Sequence, residues 1–225
     1  MSGVSAAKRA RASAASRKRK QPKTLTKVCY SLGAPFSPNY RNTMFYNKNH
    51  YLVLTAGAFN SYTILANGLF DPDQTAGASQ PLYFSDLALI YRNFAVISSK
   101  LTMTYVSSST GANNLTVVLD TVDGTTTVPT TLNQAMAQVG AKYQLTNTQV
   151  GQAPPMTAYF SSALQYGNPR PWADIALNGT GLQDPEEVTK FVISAADSLS
   201  TTMTVAFQVK IQYEVMWSDL KTFTL

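Results

Sequence analysis

The chain has 225 residues, with 18 Lys and Arg against 12 Asp and Glu, one Cys and one His. That length suits one all-β domain with a sizeable core. A single Cys excludes an internal disulfide framework, and one His with one Cys excludes a zinc site of those ligands within one chain. No run of about eighteen apolar residues occurs, so no membrane insertion through a transmembrane helix is expected.

The charge is unevenly placed. Lys8, Arg9, Arg11, Arg17, Lys18, Arg19, Lys20, Lys23 and Lys27 all lie between Met1 and Lys27, with no acid among them. From Val28 onward nine basic residues face all 12 acids, a net charge of −3. Such asymmetry points to a polyanion partner for the tail, not for the body. Residues 1 to about 24 are mostly Ala, Ser, Lys and Arg, too poor in apolar groups to offset their ordering entropy, so a disordered arm is expected. Its cations would neutralise phosphates without reading sequence. The two clusters, Lys8-Arg9-Ala10-Arg11 and Arg17-Lys18-Arg19-Lys20, have the spacing of a nuclear-import signal. The arm has no aromatic residue, so base stacking must come from elsewhere; Tyr30, Phe36, Tyr40 and Phe45 are candidates, with core packing their simpler role. No apolar segment follows the basic start, so a secretory signal is not expected, although the Arg/Ser/Ala richness fits a transit leader.

Behind the arm the chain predicts strands. The first is Leu25 to Leu32, with Cys29 as a small buried residue, and the second His50 to Tyr62. A helix follows at Ser85 to Tyr91, with Ser85 as its cap. A strand from Ala95 to Ser107 sets Leu101, Met103 and Tyr105 on one face and Lys100, Thr102 and Thr104 on the other. The next holds Leu115, Val117 and Leu119 and ends near the turn pair Asp123-Gly124. Leu132, Ala135, Met136 and Val139 have helical spacing, with Gly140 as a stop. Strands at Tyr143 to Gln149 and Met156 to Leu164 come next, then a helix start at Asp184-Pro185-Glu186-Glu187, then a strand from Thr189 to Ala195. The last strand is the clearest: Met203, Val205, Phe207, Val209, Ile211, Tyr213, Val215 and Trp217 alternate with mostly polar residues. Eight strands without a repeating strand-helix-strand pattern predict a sandwich or barrel and exclude a doubly wound fold.

Catalytic signatures are missing. There is no phosphate-binding Gly-Lys-Ser/Thr loop and no Gly-x-Ser-x-Gly elbow. His50 precedes an apolar run and reads as a strand start or surface residue, not a general base. No catalytic residue, cofactor or enzyme activity is therefore expected. Asp71-Pro72-Asp73 and Asp184 with Glu186 and Glu187 could ligate a hard cation, but a turn and a helix cap are simpler readings, and no metal site is assigned.

The stretch from Pro81 to Leu101 resembles a segment of the capsid proteins of circovirus-like viruses, whose circular single-stranded DNA genomes encode a replication initiator. In that family an aromatic-rich turn leads through a helix into a strand starting near Ser-Lys-Ile. Here Leu89, Tyr91, Phe94, Val96, Ser99, Lys100 and Leu101 hold the matching places, and Val209 to Val215 resembles the family's last strand. The arm is shorter than in many relatives and mixes Lys with Arg. The resemblance implies an all-β, single eight-stranded antiparallel jelly roll of two four-stranded sheets over residues 28–225, behind a basic arm over residues 1–27. It also implies self-assembly into an icosahedral T=1 shell of ~60 copies, packaging of a single-stranded DNA genome, contact with host nuclear import factors and a cell-surface receptor, and a location in the virion and, during assembly, the host nucleus. The long loops from Asn60 to Leu82 and from Gln165 to Asp184 would form subunit contacts. A non-viral nucleic-acid-binding β-domain, the coat protein of a small RNA virus and an imported organelle enzyme remain as alternatives.

Overall fold

The computed structural model describes residues 36–55, 58–73, 79–108, 114–147, 153–197 and 202–221. Its strands are β1 (Asn39–Leu54), β2 (Asn60–Leu65), β3 (Tyr91–Ser108), β4 (Asn114–Asp123), β5 (Lys142–Asn147), β6 (Met156–Ser161), β7 (Gly179–Thr180), β8 (Thr189–Asp197) and β9 (Met203–Leu220). Short helices α1 (Phe84–Ile90), α2 (Leu132–Met136) and α3 (Ser162–Gln165) lie in the connections. One sheet has the order β1-β9-β3-β6, with β7 added beside β3, and the other the order β2-β8-β4-β5. All pairings are antiparallel. The chain changes sheet between β1 and β2, β2 and β3, β3 and β4, β5 and β6, β7 and β8, and β8 and β9. This is a jelly roll, as expected, with two residues of β7 making the first sheet five-stranded.

β9 organises it. Every member of its apolar stripe from Met203 to Trp217 is at most 2% exposed. It lies between β1 and β3 and pairs with both along most of its length. β3 keeps a single inward face only by breaking its own alternation. A bulge between Val96 and Ser98 shifts the register, so Phe94 and Val96 before it, and Leu101, Met103 and Tyr105 after it, are all buried. One extra residue changes the parity of everything that follows. At the N-terminal end of β3, the rings of Phe94, Phe84 and Trp217 pack with centroids 5.4–5.8 Å apart. Gly179 of β7 is pressed against Phe94, and a Cβ there would overlap the ring. β4 and β8 are buried on both faces, because α2 packs on the side away from the core.

One expectation falls outside the described residues, and four others need correction. Leu25 to Leu32, with Cys29, lies outside the described residues, and the first described strand is β1, which begins at Asn39. Its four Asn residues hid an inward stripe of Met44, Tyr46, Leu52 and Leu54. The expected strand from His50 to Tyr62 is two strands in different sheets; a turn in which Ala58 N donates to Thr55 O separates them. The strand from Met156 stops at Ser161, and Leu164 belongs to α3. There Ser162 Oγ donates to Asn168 O at 2.6 Å, and Gly167 turns the chain at a φ of 66°. No helix starts at Asp184. Its carboxylate instead accepts from the backbone of Phe70 at 2.9 Å and Asp71 at 3.1 Å, capping another loop and not its own segment. Ser85 likewise lies inside α1, which follows Tyr83, and donates to Gln80 Oε1.

Candidate functional site

The nine arm cations, Lys8, Arg9, Arg11, Arg17, Lys18, Arg19, Lys20, Lys23 and Lys27, lie outside the described residues, as does Tyr30. The other three aromatic candidates are placed. Phe36, Tyr40 and Phe45 are 43–44% exposed, so the core-packing reading does not hold for them. Tyr40 stacks on Tyr91 at 6.3 Å, and Tyr91 Oη donates to Ser37 O at 3.0 Å. These contacts fix the chain where it enters β1.

Phe45 leads to a surface that no single segment reveals. Residues of odd number on β1 face outward, with Phe45 midway along the strand. Register places Phe45 opposite Gln212 of β9, Gln212 opposite Lys100 of β3, and Lys100 opposite Tyr159 of β6. The four side chains form one row across the full width of the sheet. Lys210 Nζ stands 5.4 Å from the Phe45 ring centroid. Lys100 Nζ is 5.4 Å, and Lys142 Nζ 5.7 Å, from that of Tyr159. Lys142 arrives from β5 of the other sheet and donates to Thr157 O at 2.6 Å. The Tyr159 hydroxyl titrates below its ordinary value, mainly because Lys100 hydrogen-bonds it, with Thr157 and Lys142 adding to the effect.

The charge on this face is not balanced. Glu214 is its one carboxylate among the row's neighbours, and it is engaged by Arg41 at 2.5 Å and by Ser98 Oγ at 3.1 Å. Among the described residues, no carboxylate comes within ion-pair distance of Lys100, Lys142 or Lys210. Beside Tyr159 runs a groove of about 460 Å³ whose lining includes Ser98, Lys100, Ser161, Leu164, Gln212 and the Arg41-paired Glu214. Such a surface can hold a polyanion and offer it aromatic faces. Sequence reading placed Lys100 and Lys210 only on the polar side of their strands. The signal available was that this polar phase carries Lys where Glu or Asp would have served equally well for solubility.

Two of the carboxylates considered for a cation are engaged within the fold, while Asp71 Oδ1 is buried with no hydrogen-bond partner among the described residues. Asp73 is fully buried and pairs with Lys48. Asp184 caps the backbone of residues 70–71. Burial raises the pKa of both Asp71 and Asp184. Glu187 serves through its backbone, whose N–H donates to Ala176 O at 2.9 Å. Among the described residues no group of three or more His, Cys, Asp or Glu is placed to hold a metal. His50 lies inside β1, not at its start, and stacks on Tyr62 with centroids 3.3 Å apart.

No protein-family model matches the chain, and no curated protein sequence matches it either. Solved structures with a similar chain path exist. A structure of Cocksfoot mottle virus is 10% identical, with a TM-score of 0.47 over 80% of this chain and 94% of that one. An empty head of Turnip Yellow Mosaic Virus is 12% identical, with a TM-score of 0.46 over 90% of this chain and 93% of that one. A decameric BFDV capsid protein is 10% identical, with a TM-score of 0.43 over 80% of this chain and 99% of that one. A likeness at this distance concerns chain arrangement and says nothing of activity.

Proposed function

We propose that this chain is the coat protein of a small virus: residues 28–225 assemble into a closed icosahedral shell of ~60 copies, and residues 1–27 bind and package a single-stranded DNA genome. The observation that carries this reading is the joining of an acid-free segment with nine cations to a jelly roll whose connections hold large apolar side chains in water. Leu82, Leu89, Leu164, Ile175 and Leu182 are between 68% and 89% exposed in a single copy. Four of them lie in or beside the two long loops expected to form subunit contacts. Exposed apolar side chains gathered on connections are what further copies would cover. The genome type follows from the resemblance of residues 81–101, whose helix-to-strand passage is α1 running directly into β3.

The arm's part is electrostatic. Each Lys or Arg that meets a phosphate releases condensed counterions, so binding is strong, indifferent to sequence and weakened by salt. Lys8, Arg9, Arg11, Arg17, Lys18, Arg19 and Lys20 would also be read by host nuclear import factors before assembly.

The test is electron microscopy of the purified full chain beside two variants. The native protein should give uniform closed particles that co-purify with nuclease-sensitive single-stranded DNA. Exchanging the nine arm cations for Gln should leave particles but remove the nucleic acid. Ile175→Asp with Leu182→Asp should abolish particles while the unfolding midpoint stays within a few degrees of native. Only monomers or small oligomers of the native chain, at every salt and pH tried, would overturn the shell.

A further inference from the structure

Packaging as proposed above uses only phosphate charge, because the arm has no aromatic residue. We infer that the folded body supplies the missing stacking: a single nucleic-acid strand lies across the outer face of the β1-β9-β3-β6 sheet, with bases on Phe45 and Tyr159 and phosphates at Lys210, Lys100 and Lys142. This rests on the nucleic-acid-packaging reading and adds a second contact to it, in a different part of the chain.

Three observations carry it. First, the two rings are available. Phe45 is 44% and Tyr159 59% exposed, and both stand on the outward phase of their strands. Second, the cations keep their charge unneutralised, although Lys142 also donates to Thr157 O. Each ammonium lies 5.4–5.7 Å from a ring centroid, near the outer limit of a useful cation–π contact, and none has a carboxylate partner among the described residues. The body's net charge of −3 therefore conceals a positive face. Third, the spacing fits a chain of nucleotides and not a compact ligand. Phe45 and Tyr159 close the two ends of one cross-strand row, about 14 Å apart at ordinary strand separation, and the groove beside Tyr159, about 460 Å³, is of nucleotide size. The row holds one side-chain amide, Gln212, and no fixed pair of base-edge donors and acceptors, so stacking here tolerates any base.

The arm and the row respond differently to removal of bases. An abasic phosphodiester strand keeps every contact the arm makes and loses every contact the rings make. With the full-length protein, a short oligothymidylate should bind about tenfold more tightly than an abasic strand of equal length. Phe45→Leu combined with Tyr159→Leu should bring that ratio close to one and leave abasic binding unchanged. Phe45→Tyr with Tyr159→Phe should keep it. Oligouridylate should show the same preference, because stacking does not read the 2′-hydroxyl. Photocrosslinking of a halogenated oligonucleotide to the native chain should mark Phe45 or Tyr159. A ratio that survives the double Leu exchange, or crosslinks confined to residues 1–27, would overturn the stacking face while leaving packaging by the arm intact. Failure of both strands to bind would overturn packaging itself.

Discussion

Lys48, on the inward side of β1, donates to the carboxylate of Asp73, a residue that is fully buried. β1 is an edge strand, and an inward-pointing lysine is one way an edge avoids pairing with other chains. Burial disfavours the ammonium, but the hydrogen bond and charge of Asp73 outweigh it, and the Lys48 pKa is raised.

Lys48→Met should cost about 3 kcal/mol, because it leaves Asp73 buried without its cation. Lys48→Met with Asp73→Asn should cost less than the single exchange. A raised lysine pKa means the pair's contribution is fully present below 10.5 and is lost as pH rises through the folded-state value. The stability gap between native and Lys48→Met, followed by denaturant titration, should therefore be constant through neutral pH and shrink only in alkali.

Asp120 is a carboxylate on β4 with 4% exposure. Its Oδ1 accepts from Thr121 N at 2.7 Å, while Oδ2 has no partner among the described residues. Burial raises its pKa, and the Thr121 hydrogen bond offsets this only in part. A raised carboxyl pKa favours the fold in acid and costs stability as pH rises from 3.8 through the folded-state value. Asp120→Asn should thus be stabilising by about 1–2 kcal/mol at neutral pH, and the gain should vanish in acid. Thermal unfolding at the two pH values checks it, and a loss at neutral pH would mean that the charge is compensated.

His50 is half-buried against Tyr62, and burial lowers its pKa, with Asp73 opposing and Lys48 adding to the effect. The unfolded chain then takes up a proton near 6.5 that the fold resists, so stability should fall as pH drops below that value. His50→Phe keeps the stacked ring and removes the proton site. The difference in unfolding midpoint between native and variant should widen in the variant's favour between neutral pH and mild acid. A difference independent of pH would show that His50 titrates alike in both states.

How much of this the sequence shows depends on the range of the interaction involved. Period-two burial is local: successive side chains of a strand point to opposite faces, so the β9 stripe from Met203 to Trp217 announces a strand buried on one side. The same holds for the arm, whose lack of acids and apolar groups needs no fold to be recognised. Helix α2 was marked by the spacing of Leu132, Ala135 and Met136, but it stops at Met136, so Val139 lies outside it and Gly140, at a φ of 93°, turns the chain beyond its end. β1 escaped because Asn at outward positions of an edge strand costs little there while mimicking a loop, and the bulge in β3 escaped because its extra residue has no sequence mark of its own.

Partnerships between segments belong to the tertiary structure. Asp184 has the surroundings of a helix cap, yet its carboxylate goes to backbone N–H groups more than a hundred residues earlier in the chain. Phe45, Gln212, Lys100 and Tyr159 come from four strands that are not in chain order, and only the order β1-β9-β3-β6 makes them neighbours. The sequence by itself determined the class of fold and the division into a cationic arm and a mildly acidic body, because alternation and charge density act within one segment. The tertiary structure decided which cations and rings share a face, because sheet order and register are fixed by burying all the inward stripes at once, and outward residues are carried into place by that requirement.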